Sequence, residues 1–281
     1  MGGRSEEDGS LVSDKPKKPD KPDKPDNRLR SRELLDNSFI HIQGIGEKSE
    51  RSIWSRGIRT WTDFLECPEC VLSEVKDCVI REELRNSMAH RHEIGFFAER
   101  LPSCEAWRLY ESFRQRVVYL DIETSGGYMG ADEITVIGTF DGNSVCSFVS
   151  GSNLEDFECS IADYDLVVTF NGTCFDLPFI KRSFPNITLP PAHIDLRFPL
   201  KRLGYRGGLK RIERETGIER DEGIRGMDGF DAVRLWKAYQ WGDNRALQVL
   251  LEYNAADVVN LEPLMELVNR ELKARIFPFG A

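Results

Sequence analysis

No stretch of the 281-residue sequence approaches the roughly 20 consecutive apolar residues needed to span a bilayer, which excludes a transmembrane helix. The opening MGGRSEEDGSLVSDK has no apolar segment of the kind a secretory signal carries, so none is expected. Cysteine is sparse: the seven are odd in number and scattered through a long chain. A disulfide-stapled secreted fold is therefore not expected, and a reducing, cytoplasmic setting is. Positive charge is also short, with a formal net charge of −9. The excess is uneven, because residues 117–281 carry 25 acidic against 17 basic side chains. Carboxylates that bind a cation would account for part of it. Hydrophobic residues make up 40% and charged residues 30%, enough apolar material for a sizeable core. A mass of 32.1 kDa accommodates one large domain, or an ordinary domain with a small one.

Apolar residues are absent from KPKKPDKPDKPD at 15–26, and proline there removes backbone donors. Residues 1–32 are expected to form a disordered, charge-balanced tail. Between 36 and 70 a compact unit is expected. A short apolar stretch ends at Gly44-Ile45-Gly46, and a helical pattern follows with Ile53 and Trp54 on its apolar face. Gly57 closes that helix, and Ile58, Trp61, Phe64 and Leu65 begin the next. This pattern resembles a helix-hairpin-helix motif. The resemblance implies that the turn at Gly44 and Gly46 offers backbone N–H groups to a phosphate without reading a base. Glu50 departs from the family, which has a small residue there, and a carboxylate facing DNA would weaken the contact. Residues 71–116 read as a helical connector. Cys67 and Cys70 form a CxxC pair with no matching second pair, so two ordinary cysteines near a helix end are expected rather than zinc.

From residue 117 the pattern changes to strands and helices. Val117–Glu123 is a β-branched apolar run, and Glu133–Phe140 is a second strand. Asp141-Gly142-Asn143 is a hairpin signal leading to a third strand at Ser144–Ser150. A short helix near 153–163 precedes a fourth strand at Leu166–Phe170. Three antiparallel strands followed by helix and strand predict a mixed α/β sheet. His193 and Asp195, after Pro190-Pro191, are expected in a loop, and roughly 244–273 reads as a long helical stretch.

Three segments carry chemistry. Asp121 and Glu123, at i and i+2 of a strand, present both carboxylates to one face, where a divalent cation is the natural partner. NGTCFDLPF (171–179) begins where the fourth strand ends, a usual ligand position in open α/β sheets, and Asp176 opens the next helix. Tyr253 and Asp257 are at i and i+4 on one helix face.

Taken together, these segments resemble the DEDDy 3′–5′ exonucleases of the RNase H-like (DnaQ-like) superfamily. DIET and NGxxFDxPF look like the exonuclease domain of family B DNA polymerases. The YprB-type RNase H-like proteins are similar over 117–270, including His193-Ile194-Asp195-Leu196 and GGLKRIERETGI. The resemblance implies an RNase H-like mixed sheet flanked by helices at 117–275, with a small all-α helix-hairpin-helix region before it. It implies that Asp121, Glu123, Asp176 and Asp257 hold two Mg²⁺ or Mn²⁺ ions for phosphodiester hydrolysis. It further implies that Tyr253 orients the attacking water, and that Asn171 and Phe175 hold the terminal nucleotide.

Arg197, Lys201, Arg202, Arg206, Lys210, Arg211 and Arg214 lie within 18 residues, opposed only by Glu213. Arg206 and Lys210 are therefore expected on a phosphate backbone. The sequence-level reading is a metal-dependent 3′–5′ exonuclease acting on nucleic acid, DNA favoured over RNA. A non-catalytic binding or scaffold protein, and an endonuclease of the same fold, are the other readings. No membrane partner is expected, and no protein partner is named by the sequence.

Overall fold

The computed structural model describes residues 33–127 and 132–277. The tail expected at 1–32 lies outside the described residues. Five strands form one sheet: β1 (Val117–Thr124), β2 (Ile134–Phe140), β3 (Val145–Val149), β4 (Leu166–Thr169) and β5 (Ala192–Asp195). The order is β3-β2-β1-β4-β5. The β1–β2 and β2–β3 pairs are antiparallel, and the β1–β4 and β4–β5 pairs are parallel. The mixed sheet predicted from the sequence is therefore present, with one strand more. Residues 192–195, expected in a loop, pair with β4 as β5. Four residues after two prolines are too few to show an alternating pattern.

The helices before the sheet are α1 (Glu33–Asp36), α2 (Glu47–Ser55), α3 (Trp61–Glu66), α4 (Glu74–Ala89), α5 (Ile94–Ala98) and α6 (Tyr110–Phe113). Those that follow are α7 (Phe157–Ile161), α8 (Asp176–Ser183), α9 (Arg197–Leu203), α10 (Leu209–Thr216), α11 (Gly229–Gln240), α12 (Asn244–Val259) and α13 (Leu261–Ile276). The helical stretch expected at roughly 244–273 is broken at Asn260 into α12 and α13. Thr60 caps α3 through a capping box with Asp63, and Asp228 does the same for α11 with Asp231.

Alternation along β1 sorts the layers. Val118, Leu120 and Ile122 pack on one face with Phe157 and Ile161 of α7 and Ile180 of α8. Val117 and Tyr119 point the other way, into a cluster shared with β4, β5, α9 and α13. That cluster also contains Leu34, Phe39, Ile53, Trp54, Trp61 and Phe64, so the N-terminal helices and the sheet share one apolar core. Over the β2–β3 edge, Val136 and Val149 meet Trp236 of α11 and Leu250 and Tyr253 of α12. Asp121 and Glu123 share the parity of Tyr119, and so face α12.

Glu50 does not face outward as expected. It is 1% exposed, and its Oε1 accepts from the Phe39 and Ile40 backbone N–H groups at 2.7 and 3.2 Å. Arg108, fully buried, donates to Glu50 Oε1 and Oε2 at 2.9 and 3.0 Å, to Glu105 Oε2 at 2.7 Å and to Ser38 Oγ at 2.8 Å. A charge this deep is tolerated because nearly every polar atom around it is paired. The acid thus organises the N-terminal helices from inside, and Arg108, 58 residues further along the chain, supplies the charge that allows it.

Candidate active site

The site begins at the C-terminal half of β1, where α12 crosses the sheet. Asp121 is half-buried and Glu123 is buried, both on the face toward α12. Tyr253 and Asp257, one turn apart on α12, are 2% and 4% exposed. One carboxylate oxygen from each of Asp121, Glu123 and Asp257 lies within 4.8 Å of the others. A cavity of about 240 Å³ opens on them, with Tyr253, Phe175, Phe170 and Lys210 in its walls.

Asp176 opens α8 as predicted and is buried beside this group. Its Oδ1 accepts from the Ile122 backbone N–H at 3.1 Å, which ties α8 to the centre of β1. The three converging oxygens belong to the other acids.

Electrostatics at the centre are unfavourable to four charges. Burial, and then the charge of Asp257, raise the Asp121 carboxyl well above its ordinary range. Burial pushes Glu123 up to about 8, with Asp257 next in effect. Asp176 is raised to about 7, chiefly by burial. Asp257 is raised by burial too, although Lys210 and Arg220 oppose the rise. All-oxygen, hard donors that repel one another suit a divalent cation such as Mg²⁺ or Mn²⁺. The Tyr253 hydroxyl is pushed upward by burial and by the same acids, so it stays protonated.

Two cations approach the centre. Lys210 Nζ lies 3.8 Å from Asp257 Oδ2 and contacts the Tyr253 hydroxyl, with its charge over the Tyr253 ring. Lys210 thus lines the acid cavity itself. Arg220, whose side chain is 6% exposed, is paired with Asp257 Oδ1. Its Nε and Nη2 also donate to Glu213, at 2.8 and 2.6 Å. Asn260 adds a bond to Glu213 Oε1 at 3.0 Å. Glu213, read from sequence as the lone acid opposing the basic stretch, therefore serves Arg220. Arg202 turns to the N-terminal part of the chain. It donates to Glu105 Oε1 at 2.5 Å and to Glu47 Oε1 at 2.9 Å, joining α9 to the N-terminal helices.

Asn254 has a role that sequence reasoning did not give it. It is fully buried, and its Nδ2 donates to Asp121 Oδ2 at 3.0 Å. The bond engages one carboxylate oxygen. The signal was present in the sequence, since Asn254 follows Tyr253 directly, but a helical position next to a tyrosine names no partner.

The loop after β4 carries the remaining candidates. Asn171 has φ 67°, an unusual left-handed setting for a side-chain-bearing residue. Asp195, at the end of β5, holds it there: its carboxylate accepts from the backbone N–H groups of Asn171, Thr173 and Arg197 at 2.7, 3.1 and 3.1 Å. The Asn171 side-chain oxygen accepts from Arg197. Phe175 is 39% exposed, with its ring in the wall of the acid cavity and 4.9 Å from that of Phe179. Arg206 is exposed and lines a separate cavity next to the first. Gly44 and Gly46 are exposed in the turn before α2. Gly44 has φ 82° and Gly46 precedes the helix without a side chain to cap it.

Residues 118–269, more than half of the chain, match the family described as RNase_H superfamily. This chain is a member of the RNase_H superfamily. The match takes in Asp121, Glu123, Asp176, Tyr253 and Asp257. A comparison with curated proteins gave no match. Among solved structures, this chain is similar to the family B DNA polymerase of the archaeon Pyrobaculum calidifontis, with 18% identity and a TM-score of 0.44. That similarity covers 54% of this chain and 24% of the polymerase. It is similar to the Nibbler EXO domain of Aedes aegypti at 14% identity and TM-score 0.43, covering 60% of this chain and 85% of that one. Escherichia coli RNase D, an exoribonuclease, is similar at 18% identity and TM-score 0.41, covering 61% of this chain and 45% of RNase D. Among the described residues no helix is long and apolar enough to cross a membrane.

Proposed function

We propose that this RNase_H domain is a metal-dependent nuclease that hydrolyses phosphodiester bonds, removing nucleotides from a 3′ end. One observation carries the reading: oxygens of Asp121, Glu123 and Asp257 converge within 4.8 Å beside a protonated Tyr253. The carboxylates are buried among like charges that the described partners offset only in part. Asp121, Glu123 and Asp257, with Asp176 adjoining, would hold Mg²⁺ or Mn²⁺, two ions in the reading from resemblance. A bound ion supplies Lewis acidity toward a phosphodiester and toward water.

The chain's own residues do the rest. Tyr253 keeps its proton, so its hydroxyl positions a water rather than acting as a base. Lys210, between Tyr253 and Asp257, places a positive charge where phosphate charge grows. The exposed ring of Phe175 offers a stacking face for the terminal base. Asn171, fixed by Asp195 and Arg197 in the loop after β4, would contact the same terminal nucleotide. The turn at Gly44 and Gly46 adds a phosphate grip of the helix-hairpin-helix kind, which favours DNA over RNA. Glu50 supports this grip, because its charge is turned away from the turn's outer surface.

The test uses 5′-labelled single-stranded DNA and RNA of matched sequence, with Mg²⁺, Mn²⁺ or EDTA. An Asp121→Ala/Glu123→Ala variant runs in parallel. The expected result is a ladder shortening from the 3′ end, dependent on metal and absent in the variant. Cutting of a circular single strand would move the activity to an endonuclease. Metal-independent binding with no cleavage of any substrate would sink the enzymatic reading.

A further inference from the structure

A cavity of about 580 Å³ lies beside the acid centre, and Phe170 stands in the wall of both. Its charged lining is wholly basic: Arg197 and Lys201 of α9, and Arg206 of the turn before α10. Among the described residues none of these three is in an ion pair, whereas Arg202 on the same helix is held by two glutamates. In a chain of net charge −9, three cations around one concavity with no acid in the wall form a local reversal of sign. Phe170 and Tyr205 add aromatic walls. Gly208, at the start of α10, has no side chain to accept from the first-turn N–H groups.

We propose that this cavity receives one unpaired nucleotide of the substrate strand, on the side leading away from the acid centre. The inference rests on the nuclease reading and adds a substrate class to it: a single-stranded end. The phosphodiester lies against Arg197, Lys201 and Arg206, and the base lies against Tyr205 or Phe170. Duplex is disfavoured because a base stacked on Tyr205 or Phe170 within the cavity must leave its pairing partner. Phosphate contact of this kind is independent of base identity, and stacking accepts every base.

The experiment measures binding of a fluorescein-labelled single-stranded oligonucleotide to the full chain in EDTA, by anisotropy over a salt series. The proteins are wild type, Lys201→Glu/Arg206→Glu and Lys201→Arg/Arg206→Lys. The charge reversal is expected to raise Kd by about tenfold or more, and the conservative variant to restore it. The slope of log Kd against log salt should fall by about 1.4, the value for two lost contacts on a single strand. A blunt duplex should bind more weakly than the single strand, with little response to the reversal. Unchanged Kd in the charge reversal, or a duplex that binds as tightly and loses as much, overturns the proposal. Mn²⁺-dependent thermal stabilisation, read on the same proteins, should be equal in all three and shows that they are folded. If wild type binds as expected but Mn²⁺ neither stabilises it nor supports cleavage, the cavity stands and the nuclease reading falls.

Discussion

Gly138 of β2 and Asn254 of α12 fit together only because residue 138 has no Cβ: one built there would meet Asn254 Oδ1 at 2.0 Å. Gly138 is the strand partner of Asp121, so the space it leaves is the space from which Asn254 reaches that carboxylate. Gly138→Ala should destabilise the protein by about 1–3 kcal/mol, the usual cost of overpacking, and displace the Asn254 amide. Asn254→Ala should keep the fold and weaken Mn²⁺ binding about tenfold or more, as loss of a group orienting a metal ligand does. Calorimetric titration with Mn²⁺ checks this. An unchanged Mn²⁺ affinity would show that Asn254 only fills space.

Arg220 neutralises two acids that the fold buries. Arg220→Ala leaves Glu213 and Asp257, 1% and 4% exposed, without their shared cation. Breaking a buried pair in this way costs about 3–5 kcal/mol. Denaturant melts should show that loss. Mn²⁺ should recover more stability in the variant than in wild type, because the ion replaces the missing charge at Asp257. Equal recovery in both would mean that Asp257 is not a ligand.

The pH dependence follows from the acid centre. Glu123 is raised to about 8 and Asp176 to about 7, chiefly by burial. A carboxyl raised on folding stabilises the protein fully at low pH, and that contribution is lost as pH rises through the folded value. Metal-free protein should therefore lose several degrees of Tm between about pH 5 and pH 8. His41 acts in the opposite sense: burial lowers it to about 3, so its contribution is lost on acidification below its ordinary value. Asp121→Asn, which removes one of the repelling charges, should flatten the decline at high pH alone. Mn²⁺ should raise Tm more at pH 8 than at pH 6, since the carboxylates are then already deprotonated. Parallel profiles for variant and wild type would contradict this account.

Glu50 and Arg108 give a fourth test. Glu50→Ala should cost about 3–5 kcal/mol, because Arg108 is left buried with one carboxylate partner, Glu105, in place of two, and two backbone N–H groups lose their acceptor. Glu50→Gln keeps part of the hydrogen bonding and should lose less. Loss confined to the helical signal, with the sheet unaffected, would contradict the shared core.

The sheet was legible where the pattern ran long enough. Val117–Glu123 and Glu133–Phe140 are apolar runs of seven or eight residues, and Asp141-Gly142-Asn143 marks the hairpin from the second of them to β3. The acids were legible too, because a carboxylate ending an apolar strand conflicts with its surroundings unless it has a task. Ala192–Asp195 was not, since four residues show no period. Arg220 and Arg108 were hidden for a different reason. Each is an ordinary charged residue in sequence, and its meaning depends on acids 37 and 58 positions away. Glu50 was misread because its expected direction came from the turn before it rather than from Arg108. Sequence spacing carries the contacts within one strand or helix, and the long-range ion pairs lie beyond it.

The common core of the N-terminal helices and the sheet has a consequence for how a polymer would be handled. Leu34, Trp54 and Trp61 belong to the same packed body as Tyr119, Val168 and Ile194. A strand caught at the turn of Gly44 and Gly46 would then be held at a fixed interval from the acids, as by a ruler rather than a tether. Shortening should slow once the remaining polymer no longer reaches both, leaving a remnant whose length records that interval.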